Sequence, residues 1–309
     1  MRALRRTAGA ALLLTYAVIV LGAWVRATGS GLSCPDWPTC YGQLVPLPGE
    51  IPADAGYSYF QVMLEWVHRL LVGVVLGPLI LFLGWFAWRA RDQAPRMPLY
   101  AAALILLVLV QAALGGLTVL DQNSPWSVAL HLSAALVLFA VLWLIFERAG
   151  KAAVDAGAAA RGLALLLWLL ALGAMASAAM TTKSGASLAC STWPLCDEAL
   201  IPDLFDPLLR LNFSHRLLAL GVGLVALALH AACRGQPALR PLSALILALV
   251  LAEIGLGALV VLWQVPVAAA VAHQALGVLA FGAVSLLMWR ANAPLPNAET
   301  LHARRLSRA

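Results

Sequence analysis

The chain has 309 residues, of which 62% are hydrophobic and 11% charged, with a formal net charge of +6. So few charges could not solvate the surface of a water-soluble domain of this size, which makes a lipid bilayer the solvent. The excess of positive charge is a topology signal and implies no nucleic acid partner.

Eight windows of about 20 apolar residues, enough to cross roughly 30 Å of hydrocarbon, follow one another. They lie near 8–26, 62–87, 98–120, 127–146, 162–181, 208–231, 241–263 and 267–289. The first follows MRALRR in the manner of a signal peptide. Its apolar run from Thr7 to Val25 is longer than a signal core and has no A-x-A cleavage site, so it reads as a retained anchor. Every basic residue except Arg26, Arg69, Lys183, Arg210 and Arg216 falls on the side of the two termini. The positive-inside rule makes that side cytoplasmic. The spans read as helices without Gly/Pro-broken centres or a midplane polar cluster, which disfavours a transporter. The fold class expected is an all-α integral membrane protein: eight transmembrane helices as two pseudo-symmetric four-helix bundles, N and C termini cytoplasmic.

The halves, 1–147 and 162–309, are joined by a linker, 148–161, and share an ordered set of motifs. TGSGLSCPDWPTC (Thr28–Cys40) pairs with TKSGASLACSTWPLC (Thr182–Cys196), both containing C-x-x-W-P-x-C. EWVHRLL (Glu65–Leu71) pairs with NFSHRLL (Asn212–Leu218), and QAALGGLTVL (Gln111–Leu120) with EIGLGALVVL (Glu253–Leu262). An internal duplication of this kind gives each half its own candidate core site.

His68 and His131 in the first half, and His215 and His273 in the second, fall near the outer ends of their spans. An imidazole in an apolar helix needs a polar partner or a metal. Two facing histidines suit the axial positions of haem iron and are too few for zinc. Ala135, Ala219 and Gly277, one turn on, leave room for a flat ring. His230 and His302 lack repeat partners and read as interfacial. Arg69 and Arg216, next to the H-R-L-L histidines, are candidates for haem propionates or for snorkelling to headgroups.

Glu65 shares a helix face with His68, whereas the second half has Asn212 there. A carboxyl near the membrane boundary suits proton handling, and its absence from the second half suggests a working first half beside a resident electron-transfer haem. Glu253, against Gln111, reads as structural or as tuning the second site. Cys34 with Cys40, and Cys190 with Cys196, lie in outer loops, while Cys233 lies near the inner face, as fits an oxidising outer compartment. The spacing permits a disulfide in each loop, with a structural staple and a redox role for the first pair both open. The c-type attachment motif C-x-x-C-H is absent.

Taken together, GSGLSCPDWPTCYGQLVP (Gly29–Pro46), EWVHRLLVG (Glu65–Gly73) and the four histidines resemble the haem A synthase family, in its cysteine-pair-containing bacterial type, over nearly the whole length. The resemblance implies a multi-pass protein of the bacterial inner membrane, an oxidoreductase converting a ring methyl of haem O to a formyl group by successive hydroxylations with a water-derived oxygen. By position it implies His68 and His131 as ligands of the substrate haem, His215 and His273 as ligands of a haem b cofactor, and Glu65 as the catalytic carboxyl. It matches Cys34 and Cys40 to loop cysteines involved in activity or haem handling, and all four outer cysteines to disulfides. Membrane lipid and haem O are the partners implied, with haem O synthase (the protohaem farnesyltransferase), an electron acceptor and a second copy of the chain as further candidates. The rival reading is a bis-histidine two-haem cytochrome that only transfers electrons and has no use for Glu65. A prenyltransferase would need aspartate-rich motifs, which the sequence lacks.

Overall fold

Long apolar stretches punctuated by short polar loops form eight helices in the computed structural model, which describes residues 1–150, 154 and 156–292. They are α1 (Arg2–Ala27), α2 (Tyr59–Arg89), α3 (Met97–Leu120), α4 (Pro125–Arg148), α5 (Ala158–Lys183), α6 (Pro207–Ala232), α7 (Arg240–Leu262) and α8 (Val267–Ala291). Each is long enough, at 1.5 Å per residue, to cross a bilayer. Leu13, Leu81, Phe82, Leu109, Leu224 and Leu251 remain exposed on them, as lipid-facing side chains should. Among the described residues there is no strand, only isolated bridges at Cys40–Gln43 and Cys196–Ala199.

Helix starts follow local chemistry. Ser58 and Gln61 form a capping box on α2, and the Ser124 and Asp206 side chains cap α4 and α6. Proline occupies the first turn of α3, α4, α6 and α7, where its missing N–H costs nothing. These capped turns let α2, α4 and α6 begin before their apolar windows do. Of the expected linker, residues 151–153 and 155 lie outside the described residues, and so do 293–309, including His302.

The expectation of unbroken spans needs one correction. In α2 the α-helix Tyr59–Leu70 gives way to a π turn, Leu71–Leu76, before Gly77–Arg89 resumes. Pro78 has no N–H to give, and its ring would crowd the carbonyl four residues back. The helix widens there, and the Gly77 N–H reaches the Val72 carbonyl. α6 has no proline after its first turn and runs through as one α-helix.

Helices α1 to α4 pack in a ring, α5 to α8 pack in another, and α1, α4, α5 and α8 make the seam between them. The larger buried apolar cluster draws on α1–α4 and also takes Val278 and Phe281 from α8; the second draws on α5–α8. Gly282 permits close approach at the seam, since a Cβ there would stand 2.8 Å from the Phe139 ring. Polar contacts fix the seam's register. Arg290 grips the buried Glu147 through two bonds of 2.8 and 3.1 Å, and Trp289 Nε1 donates to the Ala140 carbonyl at 2.7 Å. Near the other end of the seam, Arg26 Nη2 donates to Gln274 Oε1 at 2.9 Å.

Candidate functional site

In the first half, α2 carries His68 and α4 carries His131, close enough to interact electrostatically. Both residues are half-buried. Glycines of neighbouring helices let the rings pack closely. A Cβ on Gly22 would lie 3.2 Å from His68 Nε2, and one on Gly115 would lie 3.2 Å from His131 Cε1. Gln111 donates its amide to the His131 carbonyl at 3.0 Å and stands 3.4 Å from His131 Nε2. His131 Nδ1 is buried with no partner.

Glu65 is buried and turned toward the loop that links α1 and α2. Its Oε2 accepts from Ser33 Oγ and from the Cys34 N–H, each at 3.0 Å, and its Oε1 takes Arg69 Nη2 at 2.5 Å. Three donors on one buried carboxyl compensate its desolvation. Arg69 also donates to the carbonyls of Cys34, Asp36 and Thr39. Glu65 and Arg69 together therefore clamp the loop onto the outer end of α2. Cys34 and Cys40 are joined by a disulfide within that loop. Asp36 anchors the turn, accepting from Thr39 Oγ1 and the N–H groups of Tyr41 and Gly42. Partial burial pushes the Asp36 carboxyl up, but these bonds outweigh it and hold its pKa below the ordinary value.

The second half reuses the plan with the polarity reversed. Cys190 and Cys196 form the corresponding disulfide, and Trp193–Pro194, like Trp37–Pro38, is a cis peptide. Arg216 donates to the carbonyls of Cys190, Thr192 and Leu195, so both expected propionate partners have their guanidinium groups turned into the loops. Asn212, however, is a donor to its loop: its Nδ2 bonds the carbonyls of Ala186 at 2.7 Å and Ser187 at 3.1 Å. One loop thus offers an O–H and an N–H to a carboxyl, and the other offers carbonyls to an amide.

His215 on α6 and His273 on α8 also lie close enough to interact electrostatically. A Cβ on Gly257 would stand 2.9 Å from His273 Cε1, as Gly115 stands against His131. Ser177 Oγ lies 2.9 Å from His215 Nδ1, and Glu253 Oε1 lies 3.0 Å from His273 Nδ1. Gly277, expected to give a flat ring room, lies against Glu253: a Cβ there would fall 2.7 Å from the Glu253 carboxyl and 3.0 Å from Met175 Sδ. His230 pairs its Nδ1 with Ser243 Oγ at 3.1 Å.

Sequence reasoning missed Ser33, Ser177 and the ring-facing glycines. Gly115 and Gly257 were findable, because they occupy one position of the repeated QAALGGLTVL/EIGLGALVVL motif. Ser177 carried no signal, since the repeat puts Ala23 in its place. Among the described residues no three His, Cys, Asp or Glu side chains converge on a bare-ion site. Paired half-buried imidazoles, glycine beside the ring, and a partnerless ring nitrogen instead fit a metal bound within a planar ligand.

The class of protein so defined is a multi-pass membrane protein with two histidine pairs, each shared between two helices, near disulfide-closed loops. A family model described as cytochrome oxidase assembly protein (COX15-CtaA) matches residues 5–285, and the chain belongs to that family. It is 31% identical over 304 residues to a protein of Geobacillus kaustophilus named heme A synthase, covering 93% of this chain and 91% of that one. Proteins of the same name from Rhodopseudomonas palustris strain BisB5 (33%, covering 87% and 85%) and Shewanella oneidensis (27%, covering 90% and 94%) are similar over comparable lengths.

Proposed function

We propose that the chain is a haem A synthase of the bacterial inner membrane, oxidising a ring methyl of haem O to a formyl group with a water-derived oxygen. In this reading both termini are cytoplasmic, and the disulfide loops face the oxidising side. His68 and His131 flank the substrate, while His215 and His273 hold a resident haem b. That haem, when bound, supplies one-electron transfer. Glycines 22 and 115 leave the substrate pair room, and Glu65 is the group that takes up protons released at the methyl.

The observation that carries the reading is the Glu65 clamp. A buried carboxyl is held by Ser33, Cys34 and Arg69 in the first half, and the other half replaces it with Asn212. An electron carrier would need no such difference between its sites. The relatives' shared name points the same way.

The test is a haem extraction profile from membranes containing this chain and a haem O source, beside Glu65→Ala. Haem A from the wild type, with haem O or a hydroxylated intermediate from the variant, is the expected result. Bound haem b with no haem A, given ample haem O and an electron acceptor, would overturn the reading in favour of the cytochrome.

A further inference from the structure

Both second-half histidines meet an oxygen at Nδ1, and neither first-half histidine does. Ser177 has one hydroxyl hydrogen, which it gives to the Ala174 carbonyl at 2.8 Å, so its oxygen accepts from His215 Nδ1–H. That fixes the tautomer and leaves His215 Nε2 with a free lone pair. On the opposite helix, Glu253 Oε1 stands 3.0 Å from His273 Nδ1, out of line with the ring N–H. Neither that nitrogen nor the buried Glu253 Oε2 has a hydrogen-bond partner. In the first half, Gln111 gives its amide to the His131 backbone, and Ala23 stands where Ser177 does.

Glu253 has been given room at some cost. Gly277 surrenders its side chain to the carboxyl, and an unpartnered carboxyl oxygen is buried where a glutamine would be cheaper to desolvate. A residue serving only to pack α7 against α8 would not need the acid. The 3.0 Å separation is already that of a hydrogen bond, and only the alignment of the ring N–H is lacking.

We propose that Glu253 is the positioning residue that sets the reduction potential at the second histidine pair, acting through His273 Nδ1, with Ser177 fixing His215. An acid accepting from a ligand imidazole makes it a stronger electron donor to iron, which favours the oxidised state and lowers the potential. The inference rests on the reading that this pair holds a haem, and it assigns to Glu253 a role separate from the Glu65 chemistry.

The experiment is a redox titration of the haem retained by the purified full-length protein, for the wild type, Glu253→Gln and Ser177→Ala. In Glu253→Gln the bis-histidine spectrum should persist while the ratio of reduced to oxidised haem at fixed potential rises about tenfold, equivalent to about 59 mV for one electron. Ser177→Ala should shift the same way by less. An unchanged potential with haem retained overturns the proposal and leaves the second-half haem reading intact. Wild-type protein without haem, or His215→Ala that keeps the full spectrum, overturns the haem reading itself. If Glu253→Gln loses its haem, Gly277→Ala decides the matter. Its methyl displaces the carboxyl without removing it, and a wild-type potential there would count against the proposal.

Discussion

In the first half a carboxyl receives three donors from loop and helix; in the second an amide hands two hydrogens to loop carbonyls. The surrounding construction is shared: a disulfide, a cis Trp–Pro bond, an aspartate-anchored turn, and an arginine donating to loop carbonyls. The Glu65/Asn212 difference is therefore not one substitution. Each loop has been rebuilt to present the opposite hydrogen-bonding sign, because a buried carboxyl facing carbonyls, or an amide hydrogen facing N–H, would go unsatisfied. The ring partners divide the other way: the second pair has Ser177 and Glu253, and the first pair keeps its ring nitrogens free of such oxygens. On the proposed reading the pair with these oxygens holds the resident group, and the other pair takes a molecule that must enter and leave.

The largest effect expected on this contrast is from His215→Ala, which should abolish the low-spin haem spectrum of the purified protein while His68→Ala leaves most of it. Equal losses from the two variants would erase the distinction between resident and exchanging sites. Next comes Asn212→Glu, which sets a carboxyl against the Ala186 and Ser187 carbonyls. It should cost about 2–5 kcal/mol, seen as a lower Tm in detergent. A Tm equal to that of the wild type would show that loop polarity does not matter.

Removing either disulfide should cost roughly 2–3 kcal/mol, since each closes a short loop. Only Cys34→Ser with Cys40→Ser should also depress haem A output, because the Cys34 N–H bonds Glu65 directly. Matching losses of output from the Cys190 and Cys196 variants would remove that link. The smallest effect concerns pH. Asp36 has a folded pKa below its ordinary value, so its contribution is present above the unfolded pKa and is lost as pH falls through the folded one. Asp197, lowered first by its bond from Ser191, carries the same sign. Hydrogen exchange at Tyr41 and Gly42 should accordingly speed up under acid below about pH 4; a flat profile would show that the carboxyl does not hold the turn.

The sequence alone determined the eight spans, the paired loop cysteines and the four histidines. Hydropathy over twenty residues and a repeated motif are local signals that survive without coordinates. It also marked Glu65 and Glu253 as exceptional, because an acid in an apolar helix is costly wherever it points. Where each acid points was decided by tertiary structure. Glu65 turns to Ser33 and Cys34, more than thirty residues away along the chain, and Glu253 turns to His273 through the gap at Gly277. The Ser177–His215 bond was equally hidden, joining α5 to α6 where the repeat offers no counterpart. Partners for buried polar atoms come from whichever helix packs alongside, and in a bilayer that choice is made by how the helices fit together and not by the periodicity of any one of them.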